Sequence, residues 1–363
     1  MDIVSVKANF LAGPVALARE VSAAFQAPAV SHRDPAFLAM MSRTRASLGR
    51  LVHASHVALL VGSGTLANDA VAAQLRCAEG TGLILSNGEF GERLIDHAIR
   101  WDLAFTAEQQ DWGQPFDWRE LRQAAARRRP NWVWAVLSET STGVVNPLYE
   151  LITLANCVGA QLCLDAISAV GLMPVNLRGV RFATAVSGKG LAAPAGLAAV
   201  FHHGQLAPSG HIPRYLDLAS YESADGVPFT HSSNLLAALD RSLSLTCWPQ
   251  KFELVKRESV LLRAALRSHG VPPLASDADA APGIITVPLA SDVSACDVAN
   301  ELSRLGFQVA FQSRYLRQRN WLQICLMGQL DETALRRLPG VLAKQVMKFR
   351  TAASPRRELT PSG

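Results

Sequence analysis

Seven short apolar runs, separated by stretches with helical periodicity, constrain this chain more than any other feature. They are HVALLVG (56–62), GLILSN (82–87), LAFTAE (103–108), WVWAVLS (132–138), QLCLDAIS (161–168), FATAVSG (182–188) and LAAVFH (197–202). Each has the length of a buried strand. Between them, 64–78, 90–101, 117–128 and 148–158 repeat apolar residues at the spacing of a helix that covers a sheet. This alternation predicts an α/β fold with a mostly parallel seven-stranded sheet.

The rest of the chain reads differently. The segment 204–233, with Pro208, Gly210, Pro213, Gly226 and Pro228, reads as a long irregular connection. One long amphipathic helix is expected over 234–268. Strands at 283–289, 306–312 and 321–328 and helices at 294–305 and 331–347 then suggest a small α+β unit. The expected division is a large domain over 1–250, a small C-terminal domain over 251–349 and a disordered polar tail over 350–363.

Charge and cysteine usage exclude several function classes. The 35 Lys and Arg against 30 Asp and Glu give a net charge of +5, but the arginines are dispersed with no aromatic-interleaved basic stripe, which argues against nucleic acid. Mean hydropathy is +0.14 and every apolar run is interrupted before it could span a bilayer. The N-terminus MDIVSVKANF lacks a secretory pattern, so no membrane association and a cytoplasmic location are expected. Cys77, Cys157, Cys163, Cys247, Cys296 and Cys325 form no metal-spaced set, predicting reduced, mostly buried thiols and no metal.

Four segments place polar groups just beyond a predicted parallel strand, where open α/β sheets bind ligands. Gly62-Ser63-Gly64-Thr65 leads into a helix and is either a plain capped turn or an anion site suited to phosphate. Ser138-Glu139-Thr140-Ser141-Thr142-Gly143 is a hydrated turn or a row of ligand-binding hydroxyls. Asp165 ends an otherwise apolar strand and needs a cation or donors, an arginine partner being the simplest. Lys189, between Gly188 and Gly190, is a solvated loop lysine or a semi-buried amine able to form a Schiff base. Together they match an anion, a hydroxylated or basic ring and an aldehyde, the three features of pyridoxal 5'-phosphate.

With these segments in that order, the sequence resembles the class V aminotransferases of PLP-dependent fold type I, over about residues 9–345. Leu11-Ala12-Gly13-Pro14, Ser31 to Phe37, Asn87-Gly88-Glu89-Phe90-Gly91-Glu92-Arg93, Asn146-Pro147-Leu148 and Leu326-Met327-Gly328 add to the match. The alanine-glyoxylate and 2-aminoethylphosphonate-pyruvate enzymes resemble it most. The resemblance implies that Ser63, Gly64 and Thr65 bind the cofactor phosphate and that Phe90 stacks on the ring. It further implies that Thr140 lies near the ring hydroxyl, that Asp165 meets the ring nitrogen, and that Ser187 also binds the cofactor. Lys189 would form the Schiff base and then move the substrate proton. Thr230 would reach the phosphate of a partner subunit, which implies a homodimer. The implied substrates are a small amino donor and an oxo-acid acceptor.

One departure from the pattern concerns the substrate. In the family, an arginine on the strand before Leu326-Met327-Gly328 grips the substrate carboxylate, and here that position is Gln323. An amide offers neither the charge nor the fork. Arg33 and Arg317 are the expected substitutes, with Gly13 nearby and His32 and His231 as supporting donors or structural histidines. The alternative is a PLP-dependent lyase, decarboxylase, epimerase or bond-forming enzyme with a repurposed pocket, and a non-catalytic binding subunit is a third reading. A desulfurase fits poorly because Cys325 lies inside an apolar strand.

Overall fold

The computed structural model describes residues 8–78 and 80–353. In chain order the elements are β1 (Ala8–Phe10), α1 (Arg19–Phe25), α2 (Pro35–Val52), β2 (His56–Val61), α3 (Gly64–Arg76), β3 (Gly82–Ser86), α4 (Glu89–Arg100), β4 (Phe105–Gln109), α5 (Trp118–Arg128), β5 (Trp132–Val136), β6 (Ser138–Glu139), β7 (Val144–Val145) and α6 (Leu148–Val158). There follow β8 (Gln161–Asp165), β9 (Phe182–Val186), β10 (Leu197–His202), α7 (Leu218–Ser223), α8 (Ser233–Leu245), α9 (Trp248–Ser268), β11 (Ile284–Pro288), α10 (Ala295–Arg304), β12 (Phe307–Val309), α11 (Arg314–Arg319), β13 (Trp321–Cys325) and α12 (Glu332–Ala353).

All seven expected strands form one sheet in the order β2-β10-β9-β8-β5-β3-β4. β10 runs antiparallel to both its neighbours, whereas β9-β8-β5-β3-β4 pair in parallel. β2 therefore points the same way as β9. The C-terminal ends of six strands meet along one edge, and that edge carries all four polar segments. Alternation along β5 shows how the sheet is buried on both faces: Val133 and Ala135 pack into one core, Trp132, Trp134 and Val136 into the other.

A third core joins α9, α10 and α12 to β11 and β13. β1 pairs in parallel with β12, Ala8 opposite Phe307, so the N-terminal strand is built into this C-terminal packing. The expected long helix over 234–268 is two helices, with Thr246 and Cys247 extended between them. Pro249 has no N–H to give the preceding turn, so it starts a helix rather than continuing one. The irregular connection contains α7. The final helix runs on to Ala353, so the first four residues of the expected tail are helical, and 354–363 lie outside the described residues. Among the described residues no helix is long and apolar enough to cross a membrane.

Candidate active site

Lys189 sits just past β9, half-buried, with its Nζ donating to Ser168 Oγ at 2.9 Å. Ser168 Oγ in turn pairs with Thr140 Oγ1 at 2.5 Å, and both hydroxyls are buried. Burial pulls the lysine amine below its usual basicity, as desolvation outweighs the opposing fields of Asp165, Cys325 and Glu139, and Arg93 adds to the lowering. An amine so placed is available as a nucleophile and proton acceptor.

Asp165 ends β8 and is buried. Its Oδ2 accepts from Asn68 Nδ2 at 2.9 Å and its Oδ1 from the Ile167 amide at 3.0 Å. Thr184 Oγ1 donates to Asn68 Oδ1, which fixes the amide so that its NH2 faces the carboxylate. These partners are neutral, so the expected arginine partner is not what holds Asp165. A buried carboxylate with neutral donors favours a cationic group in front of it, and a protonated ring nitrogen supplies one.

Helix α3 begins next to this carboxylate. Ser63 is its N-cap in an extended conformation, but its side chain makes no capping bond, and Ser63 and Thr65 are exposed. The first amides of a 13-residue helix thus face outward with the positive end of its dipole, and two hydroxyls flank them. Gly64 packs closely on the end of the Ile167 side chain, which a Cβ there would have to displace from 2.5 Å.

Phe90 lies across the cleft in the first turn of α4. Its ring centroid is 5.3 Å from Lys189 Nζ, 4.8 Å from the Arg93 guanidinium carbon and 6.4 Å from the Tyr315 ring, which meets it edge-on. Glu139 sets this turn in place. Its fully buried carboxylate accepts from the amides of Phe90 (3.3 Å), Gly91 (3.1 Å) and Ser141 (3.0 Å) and from Ser141 Oγ (2.6 Å). Desolvation raises its pKa against these four donors. The open helix terminus, the neutral-partnered carboxylate, the buried amine and the flat ring all fit pyridoxal phosphate.

Several expected residues have other partners. Ser187 Oγ donates to the Pro194 carbonyl at 2.6 Å and accepts from the Leu197 amide, so it pins the lysine loop to β10 and is not a free hydroxyl at the cleft. Gln323 is fully buried on β13. Its Nε2 donates to the Thr140 carbonyl (2.5 Å), the Ser141 carbonyl (3.2 Å) and Thr286 Oγ1 (2.9 Å). Both amide hydrogens are spent on the protein, and Tyr315 OH approaches the remaining oxygen at 3.4 Å. Gln323 does border a cavity of about 380 Å³, together with Gly13, Pro14 and Tyr315.

The two expected substitutes for the arginine are not among the residues lining that cavity. Arg33 donates to the Val227 carbonyl at 3.1 Å, and Arg317 is exposed on α11, whose buried residues are Tyr315 and Leu316. Gly13 approaches the lysine loop closely: a Cβ there would lie 3.3 Å from the Gly188 carbonyl. Thr230 is exposed, His32 is half-buried, and burial lowers the pKa of His231, whose ring packs near Phe37. Of the six free cysteines only Cys163 and Cys325 are buried, while Cys77, Cys157 and Cys247 are exposed, contrary to expectation. Burial pushes the Cys325 thiol up to about 12, which makes it a poor nucleophile.

Away from the cleft, His56, His202 and Glu222 bring three ligand atoms within 4.8 Å of one another. The two imidazoles stack with planes only 9° apart, so their in-plane lone pairs do not converge on one point. Sequence reasoning overlooked Asn68, Ser168 and Tyr315. Ser168 lies three residues past Asp165 and Asn68 four past Gly64, but a polar residue within an apolar helix or turn gives no sign of the carboxylate or amine it faces.

Comparison with known proteins places this geometry in a family. The model of the class-V aminotransferases matches residues 18–211. A soluble hydrogenase 42 kDa subunit of Anabaena cylindrica is 29% identical over 319 residues, 82% of each chain. A 2-aminoethylphosphonate-pyruvate transaminase of Pseudomonas putida is 34% identical over 149 residues, 40% of each chain. Among solved structures, an alanine-glyoxylate aminotransferase from Nostoc sp. superposes with a TM-score of 0.85 at 26% identity, covering 94% of this chain and 96% of that one. With more than half of its length matched by the family model, and with a fold and a cleft that suit pyridoxal phosphate, the chain belongs to the class-V aminotransferases and is a PLP-dependent transferase of amino groups.

Proposed function

We propose that the enzyme moves an amino group between a small amino acid or aminophosphonate and an oxo acid, with Lys189 and Asp165 as its catalytic residues. The names of its relatives pair alanine with glyoxylate and 2-aminoethylphosphonate with pyruvate. When bound, pyridoxal phosphate supplies an aldehyde that exchanges amines and a ring that withdraws electrons. The chain supplies the rest. The α3 N-terminus with Ser63, Gly64 and Thr65 receives the phosphate, Phe90 lies against the ring, and Thr140 faces its edge. Asp165 keeps the ring nitrogen protonated, and Lys189 Nζ takes up and returns the substrate proton.

The observation that carries this reading is the pairing, on one sheet edge, of a buried lysine amine with a buried carboxylate held only by neutral donors. We further propose a homodimer in which Thr230 serves the neighbouring subunit, and a reducing, cytoplasmic setting that suits three exposed free thiols. In the Lys189→Ala variant, borohydride should no longer fix the cofactor to the protein, and amino donors should no longer convert it to its pyridoxamine form. Borohydride-stable attachment in that variant would overturn the assignment.

A further inference from the structure

We propose that Arg93 is the cation that recognises the substrate's anionic group, a carboxylate or phosphonate, in the cleft beside Phe90. This rests on the aminotransferase reading of the same cleft. The other candidate side chains are engaged elsewhere. Gln323 has both amide hydrogens engaged by the protein. Arg33 is tied to Val227, and the Arg319 guanidinium carbon sits over Trp112, 3.8 Å from its centroid.

Arg93 stands beside the same aromatic ring as Lys189. Its guanidinium carbon is 4.8 Å from the centroid of the ring that Lys189 Nζ faces at 5.3 Å, so the two cations are at most about 10 Å apart. A small molecule carrying an amine and an anion a few bonds apart bridges that gap. The guanidinium is also oriented in advance. Its Nε and NH2 both engage Glu89 Oε1, at 2.9 and 2.8 Å, one turn back on α4. Two of its five N–H groups are used in this way, which leaves NH1 and the outer NH2 hydrogen for an anion. The Arg93 side chain is about half exposed, so a ligand can reach it without unfolding anything. Its field also reaches Lys189, where it adds to the lowering that burial dominates.

The test uses the holoenzyme and two kinds of donor: alanine, which carries a carboxylate, and alaninamide, which does not. In Arg93→Gln the KM for alanine should rise about ten- to hundredfold, as expected for the loss of a charge-assisted hydrogen bond. The KM for alaninamide should rise far less than that for alanine, since any effect of Arg93 on Lys189 is common to both donors. Arg93→Lys, which keeps the charge and loses the fork, should fall between. Equal losses for both donors, or an unchanged KM for alanine, would overturn the proposal. Equilibrium binding of methylphosphonate and propionate to wild-type and Arg93→Gln holoenzyme gives a readout without turnover: tenfold weaker binding in the variant supports the subsite, and equal binding refutes it. If the wild type converts no donor, the aminotransferase reading fails while the binding comparison still decides Arg93.

Discussion

Gln323 shows what a single buried side chain can do through its own hydrogen bonds. Its amide ties β13 to the Thr140-Ser141 turn and, through Thr286, to β11. Thr140 in turn positions Ser168, which holds the Lys189 amine. Gln323→Arg would put a longer, charged group into a fully buried position and lose the amide's fit to the Thr140 carbonyl, while the Ser141 carbonyl keeps Thr286 Oγ1 as a donor. The expected cost is about 1–3 kcal/mol in urea unfolding, with no gain in the use of α-amino acids. A gain would mean that position 323 reaches the substrate. Lys189 makes a second residue-scale prediction. Its amine is less basic in the folded protein than in the unfolded chain, so below the folded pKa both states are protonated and burial of the charge weighs fully against folding. That penalty shrinks as pH rises toward the unfolded value near 10.5. The cofactor-free Lys189→Met variant should therefore be more stable than wild type at neutral pH, and the difference should narrow toward pH 10 in thermal melts. The lysine and the aspartate were legible in the sequence because a charged residue between glycines, or ending an apolar strand, is costly without a task. Asn68 and Ser168 were not, because Asn and Ser are ordinary residues of exposed helices and turns, and their type does not say that they are buried.

At the scale of elements, the α4 N-terminus depends on one carboxylate from another strand. Glu139 on β6 receives two α4 amides, while Ser141 Oγ accepts from the Glu89 amide. Gly88 permits the approach, since a Cβ there would be 2.6 Å from the Glu139 carboxyl carbon and from Ser141 Oγ. Removing the carboxylate in Glu139→Ala leaves buried donors unpaired, at about 1–3 kcal/mol. Amide exchange should accelerate in the first turn of α4, and cofactor affinity should fall because Phe90 belongs to that turn. Unchanged exchange at Phe90 and Gly91 would show that the helix holds its own start. The seven sheet strands were readable because each is a continuous apolar run with its own flanking turn. β1 and β12 were not read at their true extent, since three residues carry no periodicity. The join of α8 and α9 was missed because apolar spacing continues across it, although Pro249 marked the break.

The whole molecule gathers its chemistry on one edge because every sheet strand except β10 points the same way, and a dimer would complete that edge. The exposed hydroxyls of Ser63 and Thr65 flank the open α3 terminus, and the exposed Thr230 lies on the connection before α8. If the partner's Thr230 contacts the cofactor phosphate, Thr230→Ala should weaken cofactor retention about ten- to hundredfold, the value of a hydrogen bond to a charged group. A mixing experiment separates this from an effect within one chain. Lys189→Ala subunits lack the amine but keep Thr230, and Thr230→Ala subunits keep the amine. In a mixed dimer, the site built on the Thr230→Ala chain's lysine receives the threonine of the Lys189→Ala chain and is complete. Refolding the two variants together should restore tight, borohydride-fixable cofactor to one site in each mixed dimer. If Thr230 serves its own chain, the mixture should retain cofactor no better than Thr230→Ala alone, and sedimentation of the same samples reports whether dimers formed.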